Sequence, residues 1–92
     1  MSSPSVLVFR GTTGLFVALC LDHDFSVQAT TLEGAVRAFE RSYWERIRIA
    51  RTRGEQPFEK NARSPMEYWD RFERGSPLPI AADTVAQIRQ SA

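Results

Sequence analysis

The chain is poor in the residues that most often carry chemistry or covalent crosslinks. Its 92 residues include one cysteine and one histidine. A single cysteine excludes an internal disulfide and fits a reducing compartment. No apolar run approaches the ~18 residues that suggest a membrane span, and residues 1–11 lack the basic region and apolar core of a secretory signal. The sequence therefore predicts a small cytoplasmic protein.

Charge is nearly balanced overall but uneven along the chain. The net charge is +1 at neutral pH, while residues 31–53 hold six arginines against three glutamates. This overall charge argues neither for nor against nucleic acid as a partner, and any basic surface belongs to the middle segment.

Three short segments near the start have the composition of β-strands. Residues 5–10 are rich in β-branched and aromatic residues, and the connector GTTG (11–14) suits a hairpin. The apolar run 15–21 predicts a strand that is covered on both faces. Apolar and polar residues alternate over 25–30, which is the period of a half-buried strand. These segments predict an antiparallel meander, with room for a fourth strand around Phe58.

The pattern changes to helical spacing after residue 30. Apolar residues from Leu32 to Ala50 recur at intervals of three and four and predict an amphipathic helix over about 31–53. Thr30 and Glu33 have the form of a capping box at its start.

A second, shorter helix is predicted over 64–75. Ser64 can cap it, and Pro65 suits its first turn. The tail after it begins extended, with a weak helix from Ala82.

Cys20, Asp22, His23 and Asp24 fall within five consecutive positions at the predicted turn between the second and third strands. Cys20 and His23 supply only half of a metal site, since structural zinc takes four protein ligands and catalytic zinc three. Neighbouring side chains on one tight turn cannot all point at one centre. The flanking apolar residues favour a buried, inert thiol over a nucleophile. We therefore expect a polar turn, with no catalytic residue, metal or cofactor.

The long helix also has a basic side. At 100° per residue, Arg37, Arg41 and Arg48 lie within about 40° of one another and opposite Phe39. Such a stripe can contact phosphates, so nucleic-acid binding through these arginines is the alternative function. Glutamates at helical spacing favour a salt-bridged solvent face over such a contact. Arg46 projects from the apolar side instead and is expected to snorkel past the end of the sheet or to pair with an acid across an interface.

Most of the helix aromatics are expected to lie in a core between the two helices; these are Tyr43, Trp44, Tyr68, Trp69 and Phe72. Trp44 points about 140° away from Phe39 and must therefore be covered by the second helix, the tail or another chain. Tryptophan is a typical interface anchor, which makes Trp44 and Trp69 candidate interface residues.

The segment GLFVALCLDHDFSVQATTLEGAVRAFERS (14–42) resembles the HicB-like antitoxin domain. That family has a strand of the form gYvAxcxel, a polar turn, a strand ending near s-x-G-x-T, and a helix that begins leEAlxnf. Two positions depart from the pattern, because Ala29 replaces a common glycine and Gly34 a common glutamate. The comparable positions here are Gly14, Phe16, Ala18, Cys20, Ser26, Thr31, Leu32, Glu33, Ala35 and Phe39.

The resemblance implies a three- or four-stranded antiparallel sheet with a helix across it. It also implies a non-catalytic role in a bacterial toxin–antitoxin system, with a HicA-like toxin as the protein partner. Typical members carry a C-terminal DNA-binding domain, for which the remainder of this chain is too short. The chain therefore looks like an orphan or truncated member.

Together these patterns predict an α+β fold in which a long helix packs across one face of the meander (β-β-β-α). We expect one domain over 1–92, with this core at 1–54, a loop and short second helix at 55–75, and a tail at 76–92. The predicted function is a non-catalytic interaction domain that forms a dimer or tetramer, or binds a protein partner, through a sheet edge and its aromatic surface.

Overall fold

Five strands and two helices make up the structure, a computed structural model that describes residues 3–78 and 86–91. The strands form one open, mixed sheet in the order β3-β2-β1-β5-β4, in which β5 runs parallel to β1 and the other neighbouring pairs are antiparallel. The predicted α+β fold, with a long helix across the sheet and a short second helix, is confirmed. In chain order the elements are β1 (Ser5–Arg10), β2 (Phe16–Cys20), β3 (Phe25–Ala29), α1 (Leu32–Thr52), α2 (Met66–Arg74), β4 (Ser76–Pro77) and β5 (Gln87–Gln90).

The meander of β1, β2 and β3 forms as its sequence predicts. Gly14 has φ +86°, a conformation open to glycine, and the Gly11 N–H donates to the Leu15 carbonyl at 2.7 Å to close the first hairpin. Strand β2 is buried on both faces, because its alternate side chains point to a helix on each side of the sheet.

Helix α1 lies over β2 and β3 and buries one apolar side against them, with Val36, Phe39, Tyr43 and Ile47 in the core. Its N-cap is Thr31, whose hydroxyl oxygen accepts a hydrogen bond from the Gly34 N–H at 3.0 Å. The predicted cap at Thr30 was therefore one residue too early.

Helix α2 packs on the opposite face of the sheet, where Phe72 contacts a cluster that includes Leu7, Leu19 and Leu21. The prediction of a core between the two helices is wrong. Successive residues of β1 and β2 point to opposite faces, so the sheet separates the helices and each has its own cluster. Helix α2 begins without a side-chain cap, and Ser64 does not cap it.

The C-terminal tail adds two strands to the predicted meander. Strand β5 pairs with β1, with Val6 opposite Ile88, and β4 pairs with β5. No strand forms at Phe58, which lies in a turn. The helix predicted from Ala82 lies partly outside the described residues, which omit 79–85, and residues 87–90 are strand. Within the described residues no helix is long and apolar enough to cross a membrane.

Candidate functional site

The polar turn between β2 and β3 is held by hydrogen bonds to the rest of the chain. The Ser5 N–H donates to a carboxylate oxygen of Asp22 at 3.1 Å, and the Ser64 hydroxyl donates to Asp24 at 2.7 Å. The side-chain amide of Asn61 donates to the His23 carbonyl at 2.8 Å. These contacts give the two aspartates a structural role, because each carboxylate fastens the turn to another segment.

Cys20 is buried under α1 and is a poor nucleophile. Burial raises the pKa of its thiol to about 11, so the thiol is protonated at neutral pH. The His23 ring lies elsewhere, flat against Phe58 with a centroid distance of 4.0 Å. Partial burial lowers the pKa of His23, which favours the neutral imidazole. No group of three or more potential metal ligands occurs within residues 3–78 and 86–91.

An aromatic cluster forms where the 55–61 loop meets the end of the sheet. Phe58 is at its centre, with ring centroids 5.7 Å from Phe25 and 5.3 Å from Tyr43. Phe58 has φ +62°, which is rare for a bulky residue and must be held by these contacts. The sequence predicted a loop here with room for a short strand around Phe58, and it did not predict the aromatic cluster.

A cavity of about 610 Å³ opens beside this aromatic cluster. His23, Tyr43, Arg51 and Glu55 are among the residues that line it, and Cys20 is not. This set can bind a polar ligand by hydrogen bonds and charge. Because Cys20 is not in its wall, the cavity does not bring the Cys20 thiol and the His23 ring together as a nucleophile and its base.

The three arginines predicted as a nucleic-acid contact lie together on the exposed side of α1. Arg48 forms an ion pair with Glu45, which lowers the pKa of that carboxyl group. Arg37 and Arg41 are exposed and make no ion pair or hydrogen bond with the described residues. The three arginines therefore do lie on one side of α1, although the charge of Arg48 is already paired with Glu45.

Arg46, the odd arginine on the apolar side, forms no ion pair with an acid of residues 3–78 and 86–91, and its expected pairing across an interface stays a prediction. Its guanidinium lies over the ring of Phe25, 4.3 Å from the centroid, and its Nε donates to the Ser42 hydroxyl at 3.4 Å. A cation–π contact therefore places this charge on the flank of α1 that faces β3.

Of the two candidate interface tryptophans, Trp44 is the more open. Trp44 is 48% exposed, and its ring packs against that of Tyr43 at an angle of 80°. Trp69 packs against Phe72 and is covered by the guanidinium of Arg63, 4.4 Å from the ring centroid. Helix α2 does not cover Trp44, because it lies on the other face of the sheet.

The two edges of the sheet differ in how well they are protected. Strand β3 is a five-residue edge, FSVQA, with no charged residue and no proline. Strand β4 at the other edge has two residues, one of them Pro77, which lacks an N–H donor. The sequence predicted an open edge but could not say which, because the strands that cover β1 were not recognised.

No protein-family model, no curated protein and no solved structure matches this chain. The resemblance to the HicB-like domain therefore stays a prediction.

Proposed function

We propose that the chain is a non-catalytic protein-interaction domain that binds another polypeptide along the free edge of β3. The observation that carries this proposal is the contrast between the two edges of the sheet. Natural sheets protect their edges with charge, proline or short strands, and β4 has such protection while β3 has none.

The chemistry of an edge strand defines what it binds. Alternate N–H and C=O groups of β3 point away from β2, have no strand partner within residues 3–78 and 86–91, and can pair with an extended chain. Main-chain hydrogen bonds of this kind supply affinity in strand-addition complexes, while flanking side chains supply selectivity. The ligand class is therefore a polypeptide in β conformation.

The resemblance of residues 14–42 to the HicB-like domain suggests a partner. On this basis we propose an antitoxin-type role in which the chain binds a HicA-like toxin, with a second copy of the chain as the other candidate. Neither role needs a metal or a cofactor. The exposed Trp44 offers a second contact for a partner that reaches around α1.

Affinity capture with edge variants tests this function. Ser26 and Gln28 are exposed on β3, so the double substitution S26K/Q28K adds charge to the edge and leaves the core intact. The matched control S76K/Q87K adds the same charge to exposed positions of β4 and β5. Each immobilised protein is exposed to a purified HicA-like toxin, to a bacterial lysate and to the soluble wild-type chain.

We expect wild type and S76K/Q87K to retain the same polypeptides, and S26K/Q28K to lose them. Equal retention by all three proteins, or no retained polypeptide at all, would contradict the proposal. If wild type fails to bind the toxin but still binds another polypeptide through the β3 edge, only the antitoxin role is rejected.

A second candidate function is nucleic-acid binding by α1, favoured by Arg37 and Arg41, which are exposed and form no ion pair with any residue that the structure describes. Phosphate contacts release counterions, so this function predicts binding that falls steeply with salt concentration. The variant R37Q/R41Q would then lose affinity for single-stranded nucleic acid, and S26K/Q28K would keep or increase it. If R37Q/R41Q and S26K/Q28K bind single-stranded nucleic acid equally well, nucleic-acid binding by α1 is rejected.

A further inference from the structure

We infer that the polypeptide bound at β3 is the β3 strand of a second copy, paired antiparallel about a two-fold axis perpendicular to the sheet. The two sheets then become one continuous sheet, with both α1 helices side by side on the same face. This inference rests on the proposed function, since it names the partner at the same edge.

The surface that would meet its own copy has a neutral middle, because its charged group Arg46 covers Phe25 at one end of β3. Antiparallel pairing places the two copies of Arg46 at opposite ends of the seam. A second copy always presents the same charges, so self-pairing requires a patch without an excess of one sign. Strand β3 has no charged residue. The adjacent flank of α1 carries small, uncharged residues one helical turn apart, at Gly34, Ala38 and Ser42.

Two contacts show that this flank of α1 faces β3. A Cβ atom at Gly34 would lie 3.2 Å from the Cβ of Ala29 in β3. Ser42 accepts a hydrogen bond from Arg46, whose guanidinium covers Phe25 at the other end of β3. Ala38 lies between them on the same side of the helix, and it has no long side chain to hold a second helix away.

A second copy fits this edge better than an isolated strand does. Helix α1 covers the apolar side of β3, formed by Phe25, Val27 and Ala29. A strand added beside β3 would also place apolar side chains on this face, beyond the cover of α1. A second β3 brings its own α1 to the same face, because a two-fold axis perpendicular to the sheet keeps both helices on one side.

The small size of the surface is typical of a weak, reversible pairing. A five-residue strand is about 17 Å long, and the sheet and helix layers together are ~20 Å deep, which gives on the order of 350 Å² per partner. A stable complex usually buries about 800 Å² per partner. The dimer is therefore reversible, and we expect a dissociation constant in the micromolar range.

Sedimentation velocity of the purified full chain, from ~5 to ~500 µM, measures this equilibrium directly. We expect wild type and S76K/Q87K to shift from the 10.5 kDa monomer to twice that mass as concentration rises. S26K/Q28K places lysines across the dyad and is expected to weaken the dimer at least about tenfold. Ala38→Arg blocks the approach of the helices and is also expected to give monomer, with circular dichroism used to confirm that it folds.

Three outcomes would overturn the inference. One is a wild-type chain that stays monomeric at every concentration, and another is a dimer that S26K/Q28K leaves unchanged. The third is a dimer that S76K/Q87K breaks instead. If the chain is monomeric yet captures another polypeptide in an edge-dependent manner, the inference fails while the proposed function stands. If no edge-dependent capture occurs either, both fail.

Discussion

The imidazole of His23 lies flat on the ring of Phe58, with the two planes 6° apart and the ring centroids separated by 4.0 Å. This contact explains why the histidine of the polar turn is held away from the buried thiol of Cys20. It also joins the turn to the 55–61 loop, which closes the core at the end of the sheet next to α1.

Phe58 is predicted to be a major source of stability for this end of the molecule. Phe58→Ala removes three ring contacts and, because the residue is half-buried, should lower the free energy of unfolding by ~2–3 kcal/mol. Phe58→Gly should be less damaging than the alanine variant by about 1 kcal/mol, since glycine accepts φ +62°. Urea unfolding measures both. Two variants within 0.5 kcal/mol of wild type would contradict this role, a margin set by ordinary surface substitutions.

The Arg46–Phe25 contact is predicted to stabilise the flank of α1 above β3. Arg46→Gln removes the cation from the ring and should cost about 0.5–1 kcal/mol in unfolding free energy. Arg37→Gln is the matched control, because it makes the same change on the exposed side of the same helix and should leave stability unchanged. Equal effects of the two substitutions in thermal unfolding would show that the ring contact contributes nothing.

Cys20 is predicted to make stability fall at alkaline pH. Its thiol pKa is about 11 in the folded chain against 9.0 for an unburied thiol, so the folded state holds the proton more tightly. The stabilisation by the protonated thiol is complete below pH 9 and is lost as pH rises through 11. Over this range the free energy of unfolding should fall by at most about 1.4 kcal/mol per pH unit. Cys20→Ala should have a flatter profile across this window. Parallel profiles for the two proteins would refute the buried, protonated thiol.

The Ser64–Asp24 hydrogen bond is predicted to fasten the 61–64 segment to the turn. Ser64→Ala removes the donor to the carboxylate and should cost about 1–2 kcal/mol in chemical unfolding. The exposed Ser76 is the control, since its replacement by alanine should have no measurable effect. If the two alanine variants unfolded at the same denaturant concentration, the Ser64–Asp24 hydrogen bond would contribute nothing to stability.

The part of the fold that was predictable from sequence is the part built on local patterns. Strand β3 alternates apolar and polar residues, and α1 repeats its apolar residues at helical spacing, so each reveals its own state. Strand β5 reads QIRQ, with one apolar residue. Its pairing is parallel and connects distant segments, so no turn signal precedes it and it was read as tail.

The site could be predicted only where a side chain's environment depends on its neighbours in sequence. The inert character of Cys20 follows from its apolar neighbours, and the exposed arginines of α1 follow from helical angles. The partner of Ser64 could not be read from sequence, because the same residue is a good helix cap by local rules and the competing acceptor, Asp24, is 40 positions away. The sequence likewise did not show that β3 is an unprotected edge, because β5 and β4, which pair beyond β1, were not predicted as strands.

Amide hydrogen exchange of the purified chain, followed by NMR at low and high protein concentration, tests the claim about the β3 edge most directly. Alternate amides of residues 25–29, which point away from β2, should exchange fast in dilute solution and slow down as the chains associate. The Ser76 amide, which lies on the β5 side of β4 like the hydrogen-bonded Leu78 amide, is a reference that should not change. Protection that grows at Ser76 or on α1 while β3 stays fast would contradict the account.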